Sequence, residues 1–319
     1  MVNGVNYVSD CPTRHGRYAY CGVMRLPSFS TAKSAFAGIA FLRLGQKFGP
    51  QIAGLPLQRY VPELRESAGA YPGWETVTIE DVLDLASGHY GAESTYDDPL
   101  SEHLADGSSA TAIARAELSL PRQAPPGSRF FYRSCETFLA VRAMQEYLRS
   151  RDARDADLFD FIADEVFRPL HVGPGFFTSM RTPDAERQAY GAMGLWWTVD
   201  DVAKIGTLLL NGGRIGDRQI LHPDLLTDSL FRSTADRGLE QMDLPQTRYN
   251  NGFWGDRWGP GSPRPDFPCE FWTAKMGGYG GIEVRLLPNG AIYYYFGDAD
   301  SWYADDAVRE AERLATNCR

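Results

Sequence analysis

The residues able to do chemistry fall in three short runs. The first is Ser30-Thr31-Ala32-Lys33. On a helix, positions i and i+3 share a face, so the Lys33 amine lies beside the Ser30 hydroxyl. An alcohol is a poor nucleophile until a base takes its proton. A lysine serves as that base only where burial or another cation depresses its pKa. A helix N-terminus adds partial positive charge and free N–H groups near a reacting carbonyl. The second run is Tyr132-Arg133-Ser134, whose phenol, near two lysines, can act as a phenolate base or pass a proton to a leaving group. The third is Lys275-Met276-Gly277-Gly278-Tyr279-Gly280-Gly281, where glycines let a strand backbone approach a ligand and offer an N–H to an oxyanion. Each run also has a plain structural reading. These are a capping serine with a solvated lysine, a tyrosine in a core, and a glycine bulge with its hairpin.

The elements that must hold these runs can be read from periodicity and punctuation. From Ser30 to about Lys47, the apolar positions Ala32, Phe36, Ile39, Ala40, Leu42 and Leu44 fit a buried helix that ends at Gly49-Pro50. Upstream, Tyr7-Val8 and Arg17 to Val23 read as one or two strands. Thr78 and Asp81 form a capping-box variant ahead of Val82, Leu83 and Leu85. Residues 88–127, rich in Gly, Ser, Asp and Pro, read as surface loop. Helices follow over Cys135–Arg149, Asp155–Phe167 and Val199–Leu210, the last stopping at Asn211-Gly212-Gly213. Phe271–Ala274, Gly281–Leu287 and Ala291–Phe296 are strand-like, with Pro288-Asn289-Gly290 turning between the last two. An amphipathic helix closes the chain over residues 304–317. Strands at both ends around a helical insertion imply an α+β fold, its antiparallel sheet assembled from both termini.

Composition narrows the function. The 319 residues carry 32 Lys+Arg against 41 Asp+Glu, a net charge of −9, which argues against nucleic acid or an anionic membrane surface as a partner. No apolar run approaches the roughly 20 residues of a membrane helix, and residues 1–10 do not read as a secretory signal. The five cysteines, at 11, 21, 135, 269 and 318, are scattered and odd in number, so they read as isolated thiols rather than a disulfide framework. A single bridge such as Cys11–Cys21 or Cys269–Cys318 stands as the alternative and would imply an oxidising compartment. The five histidines show no zinc-type spacing.

The order of the three runs is more specific than any of them. Ser-x-x-Lys, then Tyr-x-Ser, then Lys-x-Gly on a late strand resembles the motif set of the penicillin-recognising serine hydrolases. Within that family the chain is similar to the branch of class C β-lactamases, DD-peptidases and related esterases. Ser134 in place of the usual Asn, with Tyr96-Asp97-Asp98-Pro99 after Ser87-Gly88, looks more like the 6-aminohexanoate-dimer hydrolase and esterase side. Met276 stands where relatives carry a hydroxyl that binds a substrate carboxylate. Further matching segments include Tyr60-Val61-Pro62-Glu63-Leu64 and Gly194-Leu195-Trp196-Trp197-Thr198. Only 29 residues precede Ser30, fewer than in most relatives, so an N-terminal helix and a strand are expected to be absent.

The resemblance implies a β-lactamase/transpeptidase-like fold: an antiparallel sheet flanked by helices, with a mostly helical inserted lobe. Residues 1–29 and 190–319 would form the sheet lobe, and residues 30–189 the helical lobe carrying the nucleophile helix. It implies a serine amidase or esterase that works through an acyl-enzyme. Ser30, Lys33, Tyr132 and Lys275 would be catalytic, with the N–H groups of Ser30 and Gly278, or Gly277, at the oxyanion and Ser134 in support. Lys275 would supply positive potential favouring a Tyr132 phenolate. His89, Tyr90, Tyr96, Tyr279 and one of Trp196 and Trp197 are candidates for the substrate wall. No metal or organic cofactor is required, and the partner is a small amide or ester. The compartment is expected to be periplasmic or extracellular by family habit. The alternatives are a β-lactamase or DD-peptidase, and a non-catalytic ligand-binding or sensor protein on the same fold.

Overall fold

The computed structural model describes residues 1–67, 69–91, 98–104, 106–153, 156–244, 246–299, 301 and 304–318. Its main sheet has six antiparallel strands whose spatial order follows the chain. These are β1 (Leu239–Glu240), β2 (Thr247–Asn250), β3 (Phe253–Trp258), β4 (Phe271–Gly278), β5 (Ile282–Leu286) and β6 (Ile292–Tyr295). Register is set by pairs such as Lys275 opposite Trp254 on one side and opposite Arg285 on the other.

The expected strand from the N-terminal segment is not found in this sheet, whose strands all come from residues 239–295. The N-terminal chain reaches its edge at Met1, which exchanges two backbone hydrogen bonds with Ile292, and at Asn6, whose side-chain oxygen accepts from the Tyr294 hydroxyl at 2.8 Å. Residues 17–23 form no long strand: Gly16–Arg17 pairs only with Pro12–Thr13, and Cys21–Val23 is a 3-10 turn. Left-handed Asn3 and Gly4 turn the chain back at Val2–Val5, and the Cys11–Cys21 disulfide closes a short loop, which leaves no straight run to pair. The cysteines also correct the reading of isolated thiols. Cys11–Cys21 and Cys269–Cys318 are both bonded, with Cα separations of 5.5 and 5.8 Å, and only Cys135 is free.

The helix that carries Ser30 begins as a 3-10 turn at Phe29–Thr31, continues as a π-helix over Lys33–Gly38 and settles into α1 (Ile39–Phe48). Every residue from Thr31 to Leu42 is buried, as its small and apolar residues on several faces require. Its Phe36, Ile39 and Leu42 share one apolar core with Leu139, Phe159 and Phe167 of the helices, and with Ala274, Met276 and Val284 of the sheet. α2 (Ile79–Leu83) has the capping box read at Thr78 and Asp81. The segment 88–127 is not all loop, because Ser109 caps α3 (Ala110–Leu118). α4 (Ser134–Arg151) and α5 (Val199–Leu210) match their expected spans to within two residues. α6 (Ala304–Leu314) packs Val308 and Ala311 against Trp258, Phe271 and Leu287, and the Cys269–Cys318 bridge holds the chain beyond it to the sheet.

Candidate active site

Ser30 sits at the 3-10 entry to the buried helix, and Lys33 is one turn further in, 2% exposed. The lysine amine lies 3.2 Å from the Ser30 hydroxyl and 2.9 Å from that of Ser134. It is also 4.9 Å from the centre of the Tyr132 ring. A single buried amine thus touches two hydroxyls and the face of a phenol, drawn from segments about a hundred residues apart.

The turn before Ser30 is clamped. The Ser28 N–H donates to the Leu195 carbonyl, and the Leu195 N–H donates to the Ser28 hydroxyl, both at 3.0 Å. Phe29 between them has a left-handed φ of +42°. From the sheet side, Gly278 presses against this turn: a Cβ there would stand 3.0 Å from the Ser28 carbonyl and 3.2 Å from Thr31 Cγ2. A side chain here would require the turn to give way by a few tenths of an ångström, so glycine suits this close approach of the strand to the start of the helix.

The Tyr132-Arg133-Ser134 segment is fixed residue by residue. The Tyr132 ring stacks on Trp254 at 6.0 Å. Arg133, fully buried, makes a bidentate pair with Glu117 of α3 at 2.7 and 2.8 Å. The Ser134 N–H donates to Asp98 at 2.8 Å, so a carboxylate caps the first turn of α4. Glu136 accepts from the Ser87 hydroxyl at 2.7 Å, and burial, with the Glu117 charge added, pushes its carboxyl well above the usual range.

Lys275 does not arrive alone. Its amine is 3.0 Å from Asp256, which also binds Arg285 at 2.7 Å, while Arg285 reaches back to Glu283. Burial by itself would raise the Asp256 carboxyl, but Lys275 and Arg285 outweigh it and hold the group well below the ordinary carboxylate range. Lys275 is thus held in a network in which Asp256 bridges it to Arg285, and Arg285 in turn pairs with Glu283. Met276 is fully buried in the main core and offers nothing polar to the site.

The substrate-wall candidates separate. Tyr279 is 75% exposed, with its ring 5.8 Å from that of Phe29. Trp196 is 41% exposed beside Pro27, whereas Trp197 is buried against Phe176 and Phe296. His89 is no cleft residue: it is fully buried and stacked on Trp74 at 4.2 Å, and burial lowers its pKa. Tyr90 stacks on Phe131 at 4.0 Å and accepts from Arg129. Tyr96 lies outside the described residues. Sequence reading missed Phe29, Asp98, Glu117, Trp254 and Asp256. Asp98 stood in the Tyr96-Asp97-Asp98-Pro99 run without a role given to it, and Arg133, a charge between Tyr132 and Ser134, was a signal for the buried partner it finds in Glu117.

Comparison with known proteins bears on the family and the fold. The Beta-lactamase family model matches residues 27–294. A provisionally assigned 6-aminohexanoate-dimer hydrolase from Bacillus anthracis superposes with a TM-score of 0.56 at 16% identity, over 95% of this chain and 74% of that one. A D-stereospecific amidohydrolase from Streptomyces sp. gives 0.58 at 15% identity, over 86% and 83%. A penicillin-binding protein homologue from Caulobacter crescentus gives 0.57 at 16% identity, over 90% and 82%. No curated protein matches the chain significantly. The structural likenesses, at such low identity, speak for the shared α+β fold. The family match covers most of the sequence, including all three runs, and by it the chain belongs to the Beta-lactamase family.

Proposed function

We propose that the protein is a serine hydrolase that cleaves an ester or amide of a small organic substrate through an acyl-enzyme on Ser30. The Ser30–Lys33–Ser134 contact carries the reading. A neutral amine has one lone pair and two N–H groups, so Lys33 can take the Ser30 proton while still donating to Ser134. Ser30 Oγ then bonds to the substrate carbonyl carbon, and the carbonyl oxygen takes the negative charge between the N–H groups of Ser30 and Gly278. The bond to the leaving group breaks as Tyr132 gives that group a proton, and the proton held by Lys33 restores the phenol. Water then adds its hydroxyl to the acyl carbon, the bond from that carbon to Ser30 Oγ breaks, and the remaining proton of the water goes to Oγ, which restores the serine.

Two features favour the esterase and amidase side over β-lactams. Ser134 replaces an amide side chain that would grip an acylamino group, and neither Met276 nor a lysine already facing Asp256 is well placed to receive a substrate carboxylate. The test is steady-state hydrolysis of p-nitrophenyl acetate. The protein is expected to turn it over, and Ser30→Ala to retain no more than about one part in 10³ of kcat/KM. Undiminished turnover by Ser30→Ala would remove the assignment.

A further inference from the structure

Phe29 and Tyr279 are each the chain neighbour of an amide assigned above to the oxyanion, Ser30 and Gly278 respectively. Their rings meet at 5.8 Å with a 51° tilt, yet they remain 41% and 75% exposed. Neither fills a core. Phe29 moreover holds a left-handed φ of +42°, a conformation costly for a bulky residue and retained where the surroundings impose it. The clamp between Ser28 and Leu195 supplies that constraint, and what it sets out is an aromatic ring at the lip of the nucleophile.

The direction of the substrate follows from β4. Lys275 and Gly277 lie toward Trp254, and Trp254 carries the Tyr132 ring, the proposed donor to the leaving group. Tyr279 lies one residue past Gly278, just beyond the C-terminal end of the strand and four residues on from Lys275, the residue paired with Trp254. A carbonyl oxygen held between the two amides therefore sends its leaving group toward Tyr132 and its acyl group toward the Phe29–Tyr279 pair.

We propose that Phe29 and Tyr279 form an acyl-binding platform, and that the substrates are esters or amides of uncharged arylalkyl acids. This rests on the acyl-enzyme reading above and adds the acyl class to it. Two tilted rings present faces and edges that suit offset or edge-on contact with a third ring.

The experiment compares kcat/KM for p-nitrophenyl phenylacetate and p-nitrophenyl acetate. The leaving group is common, so the ratio reports the acyl side alone. The unaltered protein is expected to favour phenylacetate. Tyr279→Ala should lower the ratio by about 3- to 10-fold, the size of one aromatic contact, and Tyr279→Phe should keep it within two-fold. A second measurement needs no variant: phenylacetamide should raise the KM for p-nitrophenyl acetate at concentrations where acetamide does not. Ser30-dependent hydrolysis of both esters with a ratio that Tyr279→Ala lowers less than three-fold, or equal inhibition by the two amides, would overturn the platform alone. Absence of any Ser30-dependent hydrolysis would overturn the acyl-enzyme reading and the platform with it.

Discussion

The chemistry of this chain converges on one amine. Lys33 lies 3.2 Å from the Ser30 hydroxyl and 2.9 Å from that of Ser134, and its own side chain is buried. Removing it without disturbing the core is the direct test of its role. Lys33→Met should fold normally and lose about 10²- to 10⁴-fold in kcat/KM. Lys33→Arg should not recover that loss, because a guanidinium stays protonated and cannot accept the serine proton. Recovery by Arg would mean that the lysine contributes only charge. The Ser30–Lys33 contact was legible in the sequence because helical spacing sets it locally. Asp98 and Trp254 were not legible, since each meets its partner only through the fold: 36 residues separate Asp98 from Ser134, and a sheet register brings Trp254 to Tyr132.

The elements hold that amine through buried charge. α3 supplies Glu117 to Arg133, and so fixes the backbone between Tyr132 and Ser134. Breaking one partner of a buried pair leaves the other charge without compensation, at about 3–5 kcal/mol. Glu117→Gln should therefore lower unfolding stability by that order in urea titration, and a change under 1 kcal/mol would show that the pair does not brace the segment. α3 itself escaped detection because Ala110–Leu118 sits in a Gly-, Ser- and Asp-rich stretch. β2 and β3 were missed for a different reason. Asn250 and Asp256 are buried polar residues in their midst, so the apolar alternation that marks a half-buried strand is absent. β4, β5 and β6, with clear turn residues between the last two, were visible in outline, as were the caps of α2 and α5's glycine stop.

At the scale of the molecule, one continuous core runs through the helices and one sheet face, and acid clusters on its flank. Glu80 on α2 is pushed up to about 7, first by burial and then by the charges of Asp236, Asp81 and Asp228. An unfolded glutamate ionises near 4.5, so between that pH and 7 the folded state binds the extra proton and stability falls as pH rises. Glu80→Gln removes the penalty. Its stability advantage over the unaltered protein should be near zero at pH 4 and grow to about 1–3 kcal/mol at pH 8, read from urea unfolding at both pH values. An advantage that does not change with pH would show that the carboxyl titrates normally. The overall fold class followed from strands at the end of the chain and helices in its middle, and the motif order pointed to the family. The sheet's true origin in residues 239–295 and the Cys269–Cys318 bridge depend on contacts between distant parts of the chain that composition and periodicity do not encode.

The proposed reaction requires a covalent acyl bond on Ser30. The protein treated with a fluorophosphonate and digested with trypsin yields the peptide Leu26–Lys33, which contains Ser28, Ser30 and Thr31. Mass spectrometry with fragmentation should find the phosphonyl adduct on Ser30, and none on this peptide in Ser30→Ala. An adduct on another residue, or an unmodified peptide from the unaltered protein, would contradict the account.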